Sequence, residues 1–391
     1  MSLFRRSFQG MTAEDYIRRV GVTSGGRAAV TSDTALRHSA VWACLRLRAN
    51  LISTMPVDLY RKVLGHQVEV PKPPVLVKPG GERVEIEEWL YSSQVDLDRA
   101  GNGVGLVTEV TGSGLPNRID LQPIGECAVV PAEVTKATPD GWRWRICGKL
   151  YDPHEVWHEK QYTVAGLPVG LSPVAYAAWT IGEYLSIQDF ALDWFGNGGV
   201  PAMHLKNTGK TITSPQAQEV KDRFSASVQQ GGLFVSGQDW ELNLLQSEAA
   251  GNSWLEAKQY SVGDVARFFD CPGDLIDAVV RSGHITYASI TERNLQLLIM
   301  HIGPAVIRRE KALGRLTAKP RYVKLNTDAL LRMDPKARAE TLKLRIDSRT
   351  LTPSEARMLD DLEPLTPEQI AEFDHFFPPR ATPATSSPNP Q

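Results

Sequence analysis

Residues 172–195 read SPVAYAAWTIGEYLSIQDFALDWF. Pro173 stands where the first turn of a helix tolerates a missing N–H. Val174, Ala178, Ile181, Leu185, Leu192 and Phe195 recur at helical spacing. Tyr176, Trp179, Tyr184, Ile187 and Trp194 make the remaining faces apolar as well, and a helix apolar all round is buried on several sides. Glu183, Asp189 and Asp193 interrupt the run, which makes it a poor bilayer span. At a rise of ~1.5 Å per residue the helix reaches ~36 Å before the run Gly196-Asn197-Gly198-Gly199 stops it.

A second apolar helical segment runs from Trp254 to Phe269, with Leu255, Val262, Ala266 and Phe269 on one face, and Cys271-Pro272-Gly273 ends it. Between the two segments, residues 197–250 read as a small β-α-β insertion. Its strands are expected near Ala202–Lys206, Leu233–Val235 and Trp240–Leu245, and its helix runs from Thr213-Ser214-Pro215 to about Val228. The whole is a long helical hairpin with a module at its far end, not a pocket built for chemistry. A loop of thirteen residues, Gly273–Ile285 (GDLIDAVVRSGHI), leads to a third long helix from about Thr286. Gly303-Pro304 should kink or split that helix.

Upstream, residues 1–34 read as a loosely held arm. A helix is expected from about Thr34 to Thr54 with Asp33 as its cap. A strand pair follows over Pro56–Val70, turning at Gly65-His66, then a helix over Glu85–Arg99 and mostly β structure from Gly101 to Lys160. Downstream, Arg321–Leu325 reads as a strand returning to the first region. Thr352-Pro353-Ser354-Glu355 and Thr366-Pro367-Glu368-Gln369 are capping boxes that open two short helices. The tail 381–391 is polar and proline-rich and is expected to be disordered.

Composition narrows the function classes. At 391 residues and 42% hydrophobic content the chain can bury a large core. No apolar run has membrane-spanning length, and MSLFRRSFQG lacks the apolar stretch of a signal peptide, so no membrane partner is expected. Cys44, Cys127, Cys147 and Cys271 are scattered, without zinc spacing, which suits a reducing cytoplasm. There is no Walker loop and no G-x-S-x-G elbow, and Gly101-Asn102-Gly103-Val104-Gly105 follows a helix and opens a strand, the reverse of a dinucleotide fingerprint.

One motif imitates a metalloprotease. His154-Glu155-Val156-Trp157-His158 matches H-E-x-x-H, with Glu183 a conceivable third ligand of a zinc hydrolase. The chemistry needs a helix. Here Asp152-Pro153 enters an alternating Val156-Trp157-His158, the pattern of a strand, on which positions i and i+4 stand roughly 13 Å apart. No catalytic residue, metal or cofactor is therefore expected, and the zinc hydrolase stays as the alternative.

A series of local patterns, each weak alone, is specific in its order. They are Ser39-Ala40-Val41-Trp42-Ala43-Cys44-Leu45-Arg46, Met55-Pro56-Val57-Asp58-Leu59-Tyr60-Arg61, Gly101-Asn102-Gly103, Leu121-Gln122-Pro123-Ile124 and Glu155-Val156-Trp157-His158. Gly170-Leu171-Ser172-Pro173, Phe195-Gly196-Asn197-Gly198-Gly199-Val200-Pro201, Val265-Ala266-Arg267-Phe268-Phe269-Asp270-Cys271-Pro272 and Leu351-Thr352-Pro353-Ser354-Glu355-Ala356-Arg357 complete them. Over residues 35–365 the chain resembles the HK97-type portal proteins of tailed bacteriophages. It departs at Asp270-Cys271-Pro272-Gly273, where that family usually carries Gly-Val-Pro-Pro.

The resemblance implies an α+β portal fold and no enzyme activity. Its parts would be an arm (1–34), a mixed α/β wing (35–171), stem helices (172–196 and 251–271) and a clip insertion (197–250). A tunnel loop (272–285), a kinked helix returning to the wing (286–335), a helical crown (336–380) and the tail would follow. It implies a homo-oligomeric ring of twelve subunits at one vertex of a phage or prophage capsid, assembled in the host cytoplasm and kept in the virion. Double-stranded DNA would pass through the hole without sequence specificity. Terminase, head–tail adaptors and capsid or scaffold proteins would be the partners. Asp274, Asp277, Arg281 and His284 are then the polar residues of a loop facing DNA, and Val174, Ala178, Ile181 and Leu185 pack neighbouring stems. The formal charge of −2, from 43 basic and 45 acidic residues, argues against a tight non-specific DNA grip and is compatible with a channel through which DNA slides. A ring or connector that never encloses DNA is the remaining alternative.

Overall fold

The computed structural model describes residues 11–12, 30–196, 203–209, 212–229, 240–244, 250–276, 287–327, 335–360 and 362–376. They fall into two units, Met1–Asn326 and Thr327–Gln391.

The first unit starts with β1 (Met11–Thr12), which pairs antiparallel with Val129 and Ala128, so the expected loose arm is tied to a sheet at this point. The predicted helix at Thr34 begins as a 3-10 turn, Thr34–Arg37, and becomes α1 (Ser39–Ser53) only after His38. His38, not Asp33, is the cap: its Nδ1 accepts the N–H of Ala40 at 3.2 Å, while Asp33 makes no side-chain cap and pairs with Arg99 at 3.2 Å. The strand pair β2 (Val57–Val63) and β3 (His66–Glu69) turns at Leu64-Gly65, one residue earlier than expected. Both turn residues take positive φ, 49° and 86°, the twist a two-residue hairpin needs.

The helix α2 (Ile86–Ala100) ends at Gly101, whose φ of 73° is the left-handed stop glycine supplies. It feeds β4 (Asn102–Val110), flanked in one antiparallel sheet by β5 (Pro116–Leu121) and β9 (Val156–Lys160). The strands β6 (Cys127–Pro131), β7 (Trp142–Ile146) and β8 (Lys149–Tyr151) form a second sheet with β1. A core of Ala100, Val104, Ile124, Cys127, Val129, Trp144, Ile146 and Val156 fills the space between these elements.

The decisive segment is helical, but it opens with a single turn, α3 (Pro173–Tyr176), before α4 (Ala178–Gly196). Ala177 lies between them at ψ 0°, where the helical bonds loosen without the path being lost, since the N–H of Ile181 still reaches the Ala177 oxygen at 2.9 Å. The insertion keeps its predicted order with β10 (Met203–Asn207), α5 (Ser214–Gln229) and β11 (Trp240–Leu244), the two strands antiparallel. The strand expected at Leu233–Val235 lies outside the described residues. The second long helix is α6 (Ala250–Phe268), followed by a 3-10 turn, Gly273–Ile276.

The third helix is α7 (Tyr287–Gln296), a π turn Leu297–Ile302, and α8 (Gly303–Gly314). The expected kink takes this form because Pro304 has no N–H to give. Gly303 donates five residues back, to Leu298, and a Cβ there would stand 3.0 Å from that same oxygen. The chain then returns through β12 (Tyr322–Leu325), antiparallel to β2 as predicted.

A buried polar chain stitches these elements together. Arg309 of α8 has no solvent exposure. It donates to Glu159 at 2.7 Å, to Gln94 at 3.2 Å and to the Leu90 oxygen at 3.3 Å. Gln94 donates to Asp98 at 3.0 Å, and Gln161 donates to the same carboxylate at 3.1 Å. Asp98 faces Arg48 of α1, whose Nε stands 3.2 Å away, out of line for a hydrogen bond, so that contact is ionic. Burial opposes the Arg48 charge, yet Asp98 beside it raises its pKa above the ordinary arginine value. Arg48 also donates to the Asp270 and His301 main-chain oxygens, each at 3.4 Å.

In the second unit, α9 (Pro335–Asp347), α10 (Pro353–Leu359) and α11 (Pro367–Phe376) are helical. Both predicted capping boxes form. Thr352 N–H donates to Glu355 at 2.8 Å and Thr366 N–H to Gln369 at 3.0 Å.

Removing one partner of a buried pair strands the other charge. Arg309→Met should therefore cost about 3–5 kcal/mol. The double variant Arg309→Met/Glu159→Leu should recover part of that loss. Denaturant unfolding of the three proteins measures the difference.

Candidate functional site

The hairpin and its anchorage to the body are the candidate site. Ser172 fixes where the stem begins: its Oγ accepts the N–H of Ala175 at 3.2 Å and donates to the Arg99 oxygen at 2.7 Å. Asn102 holds the strand leading in. Its Nδ2 donates to the oxygens of Ala100 and Gly170 at 2.9 and 3.0 Å, and its Oδ1 accepts from Gly170 N–H at 2.7 Å. The same Oδ1 lies 3.0 Å from His158 Nε2, which makes that nitrogen the donor. A Cβ on Gly101 would collide with the main-chain carbonyl of Leu171, and one on Gly170 with the oxygens of Gly101 and Gln161. Only glycine lets these backbones approach so closely.

A second seam joins α1 to both helices of the hairpin. His38 is buried, with its Nδ1 occupied by Ala40 N–H, so its Nε2 donates to Ser261 of α6 at 3.4 Å. Ser261 in turn donates to the Thr180 oxygen at 3.3 Å. The His38 ring lies 3.8 Å from the Tyr184 ring, and Lys258 sits over the other partner of that pair, 4.9 Å from the Tyr184 centroid. Burial and then Lys258 lower the His38 pKa to about 4.

The four residues expected to pack neighbouring stems lie elsewhere. Val174 and Ile181 have no exposure, Ala178 retains 8%, and Leu185 packs partly buried against the same cluster of Ala35, Val41, Cys44, Leu45, Val265 and Phe269. That face is used inside the subunit, because α1 and α6 cover it. The faces turned outward carry Tyr176, Tyr260 and Phe268 on the hairpin, and Ile299, Met300 and Ile307 on the third helix, between 40 and 69% exposed. Helical periodicity alone did not separate the two faces, since both are apolar.

Of the four loop residues, Asp277, Arg281 and His284 lie outside the described residues. Asp274 accepts from Arg293 of α7 at 3.0 Å, so its carboxylate is engaged within the chain. The turn before it is pinned. Asp270 takes a positive φ of 51°, its carboxylate lies 2.7 Å from His301 Nδ1, and its oxygen accepts from Arg48.

The zinc reading is overturned by the backbone. Pro153–Glu155 is a 3-10 turn and His158 is on β9, so the two histidines do not share a helical face. Glu155, which would polarise water, closes a capping box, accepting Asp152 N–H at 2.8 Å. His158 is held neutral, its pKa lowered to about 3 by burial and then by Lys160 and Arg315. Among the described residues no cluster of His, Cys, Asp and Glu could hold a metal ion, and no helix is long and apolar enough to cross a membrane.

The described residues form an α+β body that carries a helical hairpin with apolar side chains turned outward. The chain belongs to the phage portal protein family, whose model matches residues 39–361. The probable portal protein of Streptomyces phage phiC31 is 27% identical over 387 residues, covering 91% of this chain and 81% of that one. The portal protein of Enterobacteria phage HK97 is 25% identical over 365 residues, covering 88% and 84%. The fold is similar to the crystal structure of an HK97 family phage portal protein from Corynebacterium diphtheriae, with TM-score 0.59 and 19% identity over 79% of this chain and 100% of that one. It is also similar to a chain in the neck of a native gene transfer agent particle computed with C12 symmetry, with TM-score 0.55 and 17% identity over 90% and 98%.

Two measurements test the seams. Asn102→Ala leaves the N–H and oxygen of Gly170, the Ala100 oxygen and the His158 ring without their partner, and should cost about 2–4 kcal/mol in denaturant unfolding. The depressed His38 pKa has a definite sign: its stabilisation is complete above pH 6.5, the unfolded value, and is lost as pH falls toward 4, because only the unfolded chain takes the proton. Melting scans should show this loss, about 3 kcal/mol at most, and a shallower slope in His38→Asn, which keeps the cap.

Proposed function

We propose that this chain is the subunit of a portal ring at one vertex of a phage capsid, a channel through which double-stranded DNA enters and leaves. In this reading residues 35–171 with 286–335 are the wing, 172–196 and 251–271 the stem, 197–250 the clip and 336–380 the crown. The observation that carries the reading is the pairing of the family match with the outward apolar side chains of the stem and of the third helix. Tyr260 of the stem is 69% and Met300 of the third helix 66% exposed in the single chain. Side chains of this size left in water mark a covered face, and a ring covers it with a second copy of the same chain. The C12 symmetry of the gene transfer agent neck supports twelve copies.

The portal works by geometry and performs no covalent step. A terminase would dock on the clip and supply ATP hydrolysis, and head–tail adaptors would later take that place. The near-neutral net charge of −2 suits a bore that lets phosphates slide past. Loop residues Asp277, Arg281 and His284 remain the candidates for facing DNA, whereas Asp274, through Arg293, steadies the loop's base.

Light scattering followed by negative-stain electron microscopy of the same peak tests the ring. Rings of about a dozen subunits with a central hole wide enough for a duplex are expected. A small compact oligomer without a hole would overturn the reading. Tyr260→Glu and Met300→Glu should each reduce ring formation while shifting monomer stability by less than about 0.5 kcal/mol, as exposed positions do. Ile181→Glu should instead unfold the subunit, because its side chain is in the core.

A further inference from the structure

Two of the four free cysteines meet across the seam between α1 and the end of the second stem helix. On α1, Cys44 and Arg48 stand one turn apart on the same face. Arg48 reaches over to the main-chain oxygen of Asp270 at 3.4 Å, the residue just before Cys271. That register brings Cys44 against Cys271. Both lie in one core cluster with Val41, Leu45, Val265 and Phe269. The backbone is held on both sides. Cys44 is inside a helix, and Cys271 N–H donates to the Ala266 oxygen at 2.9 Å, between an Asp270 of positive φ and Pro272. Cys44 has no exposure, whereas Cys271 keeps 5%, so a reagent meets Cys271 first.

The two sulfurs are not equivalent. Cys44 beside it holds Cys271 below the ordinary thiol range, against the effect of burial and with help from the Arg48 guanidinium. The proximity of Cys271 and burial push Cys44 up. Cys271, the less buried of the two, is the attacking sulfur and Cys44 the resolving one.

We propose that Cys44 and Cys271 are a modification site, a dithiol that a low-molecular-weight disulfide converts into an intrachain cross-link between α1 and the turn closing the second stem helix. The exchange balances. The Cys271 thiolate attacks one sulfur of the small disulfide, forms a mixed disulfide and releases one small thiolate. Cys44, giving up its proton to solvent, then attacks the Cys271 sulfur and releases the second. The chain loses two hydrogens and the small disulfide is reduced to two thiols. The role of this cross-link rests on the portal reading: a particle that leaves the reducing interior of its host enters surroundings where such pairs oxidise. There the bond would fix the end of α6 to α1.

The test uses the full chain and oxidised glutathione, followed by alkylation, denaturation, a second alkylation and peptide mass mapping. Exposed Cys147 serves as the internal control that the reagent acts. The expected result is a linked Cys44–Cys271 peptide pair, with Cys147 carrying glutathione. The oxidised protein should also melt a few degrees higher than the reduced one, a difference absent from Cys44→Ser and Cys271→Ser. Cys147 modified while Cys44 and Cys271 are both still alkylated after denaturation would overturn the proposal, as would a bridge from either of them to Cys127. The mapping reads the same on monomer or ring. Failed ring assembly therefore bears on the portal reading alone, and free thiols bear on this proposal alone.

Discussion

Two buried arginines, Arg48 and Arg309, set the terms for the rest of the first unit. A guanidinium cannot be neutralised at any accessible pH, so each needs a carboxylate and enough oxygens to replace water. Glu159 and Asp98 supply the charges, and Gln94 bridges the two systems by accepting from Arg309 and donating to Asp98. The chain runs from β9 through α8 and α2 to α1, and through Arg48 to the turn after α6 and the π turn. An element that shifted by one residue would leave a charge unpaired in a dry interior, which costs more than most packing errors. The polar chain therefore specifies one arrangement, whereas apolar contacts alone would tolerate several.

The hairpin is mounted on that body by main-chain proximity and small hydrogen-bonding side chains. Gly101 and Gly170 allow two backbone segments to touch, Asn102 occupies the donors and acceptors left at the contact, and Ser172 starts the stem on the Arg99 oxygen. The His38–Ser261–Thr180 relay does the same on the other side. Both junctions consist of neutral groups in an interior that burial keeps neutral, as the depressed pKa values of His38 and His158 reflect. A hairpin fixed at two seams holds its outward face in a set direction relative to the body.

The hairpin's apolar side chains do not all face the same way. The face of Val174, Ala178 and Ile181 closes the subunit's own core against α1 and α6. Tyr176 and, on the antiparallel helix, Tyr260 are turned outward instead.

Much of this was legible in residue order. Proline and glycine punctuation located the helices of the hairpin, the return strand and both capping boxes, because these signals act within a few residues of themselves. Alternation of Val156, Trp157 and His158 after Asp152-Pro153 was enough to read a strand where a metalloprotease motif would need a helix. Other features needed the third dimension. Which apolar face of residues 172–195 is internal depends on α1, more than a hundred residues earlier. His38 displaced Asp33 as the cap of α1 because Ser261 and Tyr184 hold its ring. The pairing of Arg48 with Asp98, of Arg309 with Glu159, and of Cys44 with Cys271 left no local trace, since each joins residues far apart in the chain whose charge or thiol looks ordinary in its own neighbourhood. Local stereochemistry determined the elements; desolvation, which exists only once distant segments close over one another, decided their partners.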